Sequence, residues 1–311
     1  MEHSMAFYAS IAIFLVTYGL IVWDKYSRML VSLGGAVIMI GFGFVSQATA
    51  IKEDIDFNTL GLLVGMMLIV AITSKSGLFQ AGALWAAHVT KGSPWRLLFL
   101  LSVITAIGSA LFDCVTAVLL IAPVTLTLAD KLKVNAFPFL MTEILVSNVG
   151  GTGLLVGNPP NVMIGSATGL TFNDFFIYLA PVCAIATLLI IPILIFLYRR
   201  DLEPHPETKD AIMSISYQDA IEDPVLLKKS LFVLALTIGC FIAHHWLGLE
   251  TATIAIGGAV LLMVIADIKP REVLHLVEWT TIFFFMGLFV VVGGLKASGV
   301  MTFLAEKVIS V

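Results

Sequence analysis

Asp113 is the only acidic residue between Asp56 and Asp130, and it stands beside Ser109, Cys114 and Thr116 in the run Gly108-Ser109-Ala110-Leu111-Phe112-Asp113-Cys114-Val115-Thr116. A lone carboxylate in so apolar a stretch can hold a coupling cation or carry a proton. It can equally cap the helix that follows by accepting backbone N–H groups, and the two roles are compatible. A second constellation, Asn148, Gly151, Thr152, Asn158 and Asn161, is set in Ser147-Asn148-Val149-Gly150-Gly151-Thr152-Gly153 and Gly157-Asn158-Pro159-Pro160-Asn161. Glycine and tandem proline interrupt a helical ladder, freeing carbonyl oxygens that suit a cation and leaving a half-helix N-terminus that suits an anion. The same amides and hydroxyls could instead do no more than repair the broken backbone. Glu143, one helical turn before Ser147, is expected to face the cytoplasmic end without a special role, and His88, His205 and His275 read as interfacial or loop residues.

These groups need a scaffold, and composition says which kind. Of 311 residues, 59% are hydrophobic and 12% charged, and the mean hydropathy is +1.03, which excludes a water-solvated globular surface and places the chain in a cell membrane as a multi-pass protein. The net charge of −4 is scattered, with no basic stripe that could track phosphates, so no nucleic-acid partner is expected. Cys114, Cys183 and Cys240 lie far apart within apolar stretches, so neither a disulfide framework nor a metal site is expected. Met1-Glu2-His3 lacks a basic leader region, and the first apolar run reads as a retained helix. No metalloprotease or intramembrane-protease motif occurs at membrane depth, so no enzyme is expected.

A spanning helix needs about 20 apolar residues. The segments 6–23, 30–50, 57–73, 172–198, 230–247, 251–267 and 279–295 approach or exceed that length. Residues 77–90 are shorter and read as an interfacial helix. Within 95–132, two apolar arms, 97–112 and 115–129, flank the Asp113 motif, and both end in positive charge: Lys91 and Arg96 before, Lys131 and Lys133 after. Two arms with one basic flank read as a re-entrant hairpin. Residues 136–169 read as a helix broken at its centre, because unpaired backbone at membrane depth is tolerated only beside protein or a wet cavity.

An internal repeat organises these elements. Asp56-Phe57-Asn58-Thr59, Gly65 and Ser76-Gly77 recur as Glu278-Trp279-Thr280-Thr281, Gly287 and Ser298-Gly299, each 222 residues on, and Leu33-Gly34-Gly35-Ala36-Val37 recurs as Ile256-Gly257-Gly258-Ala259-Val260, one residue out of that register. The positive-inside rule places the polar loop 199–229 and the hairpin flanks in the cytoplasm, and residues 51–56 and 244–250 outside. The helix at 6–23 then runs inward and its partner at 230–247 outward, so the fold class is an all-α polytopic membrane protein built as an inverted-repeat transporter. Residues 1–198 form the first repeat, with scaffold helices in 6–73, and 230–311 begin a second that is expected to be truncated before its own hairpin and broken helix. Alone, such a chain is expected to insert without transporting, unless a homodimer completes the site.

The run from Gly108 to Leu120, paired with the run from Asn148 to Gly165, resembles the ion transporter superfamily. The resemblance covers essentially the whole chain and is closest to the branch of arsenite permeases, NhaD-type sodium/proton antiporters and the pigmentation P-protein, the citrate-transporter-like permeases. It implies a scaffold domain and a mobile transport domain, with substrate and coupling ion bound jointly by hairpin tip and broken helix. By motif position it points to Ser109, Asp113, Thr116, Asn148, Gly151, Thr152, Asn158 and Asn161. This chain has Asp113-Cys114 where close relatives often show Asp-Asn, and Gly157-Asn158-Pro159-Pro160 where they show Gly-Asp-Pro-Pro. The expected function is secondary active transport of a small inorganic or organic oxyanion, such as arsenite, antimonite or a carboxylate. Sodium/proton antiport is the alternative, and a channel or a non-transporting membrane subunit is the reading from a different class. The expected partners are the lipid bilayer and a small ion or anion, and no cofactor is expected beyond a coupling Na+ or H+.

Overall fold

Long apolar runs punctuated by glycine, proline and short charged turns leave the backbone one way to satisfy its hydrogen bonds in lipid, within helices. In the computed structural model, which describes residues 5–202 and 221–309, every regular element among the described residues is helical. In chain order these are α1 Met5–Trp23, α2 Arg28–Gly41, α3 Phe57–Ser74, α4 Leu78–Val89, α5 Pro94–Leu111, α6 Cys114–Leu132 and α7 Phe137–Thr152. There follow α8 Pro159–Thr168, α9 Phe172–Leu197, α10 Pro224–Leu247, α11 Thr251–Ala266, α12 Trp279–Ala297 and α13 Val300–Ile309. Among the described residues, α1, α3, α5, α6, α9, α10 and α12 are long and apolar enough to cross a membrane, and α11 joins them if counted with the sharply bent turn Pro270–Leu276. The chain is a polytopic membrane protein.

Two expectations change in detail. The apolar run 30–50 is not one span: α2 stops at Gly41, Gly43 takes a left-handed φ of +76°, and the Ser46 hydroxyl accepts from the Thr49 amide to cap a new turn that passes into a π-helical turn over Ala50–Asp54. The hairpin arms are longer than expected, because Pro94 at the first turn extends α5 backward and α6 persists to Leu132 before Lys133 turns left-handed. Residues 203–220 of the expected cytoplasmic loop, and with them His205, lie outside the described residues.

The chain divides into two compact units. The first comprises residues up to Leu60 and those from Glu278. Here Gly287 of α12 meets the backbone of α2: a Cβ at Gly287 would lie 2.6 Å from the Ser32 carbonyl carbon. Gly35 faces the Thr17 hydroxyl and Val291, and Ser10 and Ser298 share a hydroxyl hydrogen bond of 2.7 Å. The Asp54 carboxylate lies against Gly293, where burial raises its pKa above the ordinary carboxylate value while Lys296 pulls it down.

The second unit, Gly61–Val277, contains the same contact set. Gly65 of α3 meets α11, where a Cβ would lie 2.5 Å from the Ala255 carbonyl carbon, and Gly258 faces the Thr237 hydroxyl and Ile69. Gly65 and Gly287, and likewise Ile69 and Val291, are 222 residues apart; Gly35 and Gly258 are 223 apart, and Thr17 and Thr237 are 220 apart. Glycine is required at each crossing because it alone lets two helix backbones approach so closely.

The second unit also holds the hairpin region. Near its tip, Phe79 of α4 packs edge-on against Phe112, 5.3 Å between centroids, and lies beside Gly108. Toward the base, Ala83, Ala86 and Ala87 share one apolar cluster with Leu97, Leu98 and Leu101 of α5, Leu128 and Leu132 of α6, and Phe139 of α7. Helix α4 therefore runs along the hairpin from tip to base.

Candidate functional site

Helix α7 ends at Thr152, the chain makes one tight turn over Leu155–Gly157, and α8 starts after Asn158 with Pro159 and Pro160, which have no N–H to offer a continuing helix. A break of this kind leaves several α7 carbonyls without their helical donors. Side chains bond to carbonyls on and around the end of α7. The Ser109 hydroxyl of α5 donates to the Ser147 carbonyl, and the buried Asn161 amide donates to three carbonyls, Gly151 at 3.2 Å, Thr152 at 2.9 Å and Leu154 at 2.8 Å. Thr152 donates to the Asn148 carbonyl and the Asn148 amide to that of Ile144, both along their own helix.

The end of α5 meets this break backbone to backbone. A Cβ on Gly150 would strike the Ala106 carbonyl, and one on Gly157 would strike the Gly151 carbonyl and come within 3.0 Å of the Ala110 carbonyl. Around Gly151 the absent side chain is replaced by three polar atoms: a Cβ there would sit 2.8 Å from the Gly157 carbonyl oxygen, 2.9 Å from the Ser109 hydroxyl and 3.0 Å from the Asn158 amide nitrogen. Ser109, Gly151, Asn158 and Asn161 are thus brought together. Of their side chains, Asn158 stands apart: it does not cap α8 and makes no hydrogen bond to any described residue.

Asp113 and Thr116 bond to each other within the hairpin turn. At the start of α6 the carboxylate accepts from the Val115 amide at 3.1 Å through Oδ1 and, through Oδ2, from the Thr116 amide at 3.0 Å and the Thr116 hydroxyl. Asp56 does the same at the start of α3, accepting from the Asn58 and Thr59 amides and the Thr59 hydroxyl. Asn148 is exposed and, like Thr152, is bonded within α7.

One residue escaped the sequence reading. Glu143 is 1% exposed, accepts from the Thr125 hydroxyl of α6 at 2.6 Å, and leaves its second oxygen, Oε2, buried without a partner. It is the only acid between Asp130 and Asp174, a signal of the kind that singled out Asp113. With Ser109 it ties α7 to both arms of the hairpin. Behind the break, Ala106, Gly150, Gly153, Ala180 and Cys183 help line an apolar cavity of about 370 Å³, a wall with almost nothing to offer an ion.

Comparison with known proteins adds to this geometry. A sequence profile described as citrate transporter matches residues 18–311. A 46 kDa membrane protein of Mycobacterium leprae is 41% identical over 300 residues, which cover 96% of this chain and 70% of that protein. An uncharacterized transporter of Mycobacterium tuberculosis matches at the same identity and coverage. The mouse P protein is 28% identical over 375 residues, covering 96% of this chain and 45% of its own length.

Proposed function

We propose, from the premise that the chain belongs to the citrate transporter family and is a membrane transporter, that it carries a small carboxylate or comparable oxyanion by secondary active transport. The observation that carries this reading is the polar cradle at Gly151. The Asn158 amide there has donors to give, while the neighbouring amide of Asn161 is committed to the backbone. Amide and hydroxyl donors around a glycine recognise carboxylate oxygens or the hydroxyls of a neutral arsenite. Sodium/proton exchange has less support at this site, because the Asp113 carboxylate is engaged by the amides and hydroxyl of its own cap.

On this reading Ser109 positions the cradle by holding the Ser147 carbonyl, and Asn158 binds the substrate. The grouping of chain ends supports the inverted topology within each unit: Ser10 meets Ser298, Lys75 donates to the Glu272 carbonyl, and the Asn173 amide donates to the Ile242 carbonyl. The test is binding of citrate by calorimetry, with uptake of citrate, arsenite and sodium into proteoliposomes under an imposed proton gradient. Citrate is expected to bind and to enter down the gradient, and Asn158→Ala to weaken binding by about tenfold, the loss of one hydrogen bond to a charged group. Wild-type citrate affinity in Asn158→Ala would remove the site, and sodium-driven proton exchange without citrate binding would favour the antiporter.

A further inference from the structure

The base of the hairpin carries four cations, Lys91, Arg96, Lys131 and Lys133, all exposed and none in an ion pair with a described residue; Asp130 precedes Lys131 in the chain, and Asp201 adjoins Leu202, which packs in the cluster of Leu97 and Leu132. Two tryptophans flank this base, Trp85 at 45% and Trp95 at 46% exposed, the latter under the Arg96 guanidinium at 4.9 Å. Exposed tryptophan interleaved with basic residues is the mark of the water–lipid boundary, and it sets Lys131 at headgroup level.

From that level a groove of about 450 Å³ runs between α4 and α6. Its walls change character in order along α6: Lys131 and Thr127 at the mouth, then Val124, Pro123, Leu120 and Leu119, with Leu84 and, toward the tip, Gln80 opposite on α4, the Gln80 side-chain oxygen buried without a partner among the described residues. From Lys131 to Leu119 is about 18 Å of helix, slightly more than half of a hydrocarbon core about 30 Å thick. The groove therefore has a cationic end at the interface and a body as deep as one leaflet that is apolar except for Gln80. A free phosphate fits only the mouth, and a hydrocarbon only the body.

We propose that this groove is a binding site for an anionic glycerophospholipid, its phosphodiester held at Lys131 and one acyl chain laid over Val124, Pro123, Leu120 and Leu119. The lipid fills the seam between α4 and the hairpin, and so braces the arm that carries Asp113. The charge opposite the headgroup is a single lysine, so the preference over a zwitterionic lipid is about fivefold.

The protein is reconstituted in nanodiscs of equimolar phosphatidylglycerol and phosphatidylcholine and released, and the lipids that remain bound are counted by native mass spectrometry. Wild type is expected to retain phosphatidylglycerol preferentially, and Lys131→Gln to lose that preference. Val124→Trp and Leu84→Trp, which fill the groove from opposite walls, are expected to lose the retained lipid, each checked for native helicity and monodispersity. Lys91→Gln, Lys133→Gln and Gln80→Leu are expected to behave as wild type. Equal losses in all three lysine variants would mean a diffuse basic surface and overturn the site. Unchanged retention in a correctly folded groove-filling variant would overturn it as well.

Discussion

Glycine serves two regions of this molecule in different ways. At the crossings of α2 with α12 and of α3 with α11, Gly287 and Gly65 let two intact helices touch, and every backbone group near them keeps its helical partner. At the break between α7 and α8, Gly150, Gly151 and Gly157 allow an equally close approach to α5, but the backbone they free has to be satisfied from outside the helix. The crossings therefore need small residues alone. The break needs small residues together with Ser109 and Asn161, and having used those, it leaves Asn158 over.

That contrast can be broken first at the break itself. Gly150→Ala and Gly157→Ala put a methyl group onto a carbonyl oxygen held by a second helix, with no flexible side chain to give way. A cost of about 3 kcal/mol is expected, seen as loss of monodisperse protein or a large drop in the thermal midpoint in one detergent. A midpoint within a degree or two of wild type would mean that α5 and α7 are free to separate.

Asn161 sharpens the comparison, since the crossings have nothing like it. Asn161→Ala removes the side-chain donor from the carbonyls of Gly151, Thr152 and Leu154, the last of which keeps the Gly157 amide, and is expected to cost roughly 2 kcal/mol. Asn161→Asp is expected to be worse, because it sets a further acceptor against three acceptors. Asn158→Ala, one turn away, is expected to stay within about 0.5 kcal/mol of wild type in the same assay.

The crossings are expected to behave as a pair. Gly65→Ala and Gly287→Ala meet the same backbone groups at nearly the same separation, so each is expected to cost about 1–2 kcal/mol, with the two thermal shifts alike. A large cost at one and none at the other would show that the shared contacts do not carry shared weight.

The smallest effect lies where the two units differ. Asp54 packs on Gly293, whereas the position 222 residues earlier is Ala71, with a side chain where the carboxylate would sit. Because burial raises the Asp54 pKa in the folded protein, the native state binds the proton more tightly than the unfolded chain. The contribution of Asp54 to stability is therefore fully present below the ordinary carboxylate range and is lost as pH rises through the raised value. Asp54→Asn is expected to flatten that part of the profile of thermal midpoint against pH, and an unchanged slope would assign it to another group.

Much of this was legible in the residues. Gly157-Asn158-Pro159-Pro160 cannot continue a helix, and apolar length marked the two hairpin arms, although Pro94 and Lys133 bound them a few residues farther out than it implied. The end of α2 was harder to see, because Gly41, Gly43 and Ser46 lie inside a run apolar enough to pass as one span, and only their backbone conformation shows the turn. Glu143 was misjudged for a related reason. Position along a helix says how far a residue is from the end, not which neighbour it faces, and Thr125 lies on a different helix.

Composition by itself determined that this chain lives in lipid, because 12% charged residues cannot clothe a water-facing surface. Local chemistry determined where helices start, stop and break, since proline, glycine and capping side chains act on the backbone within a few residues. Which polar groups remain available to a substrate was decided only by the tertiary structure. In sequence Asn158 and Asn161 read alike, as amides beside a break, and Ser109 reads as a neighbour of Asp113 at the hairpin tip. Their roles separate only when α5 and α8 close on the end of α7, because a hydrogen-bond donor is spent or spare according to what the fold brings within about 3 Å of it.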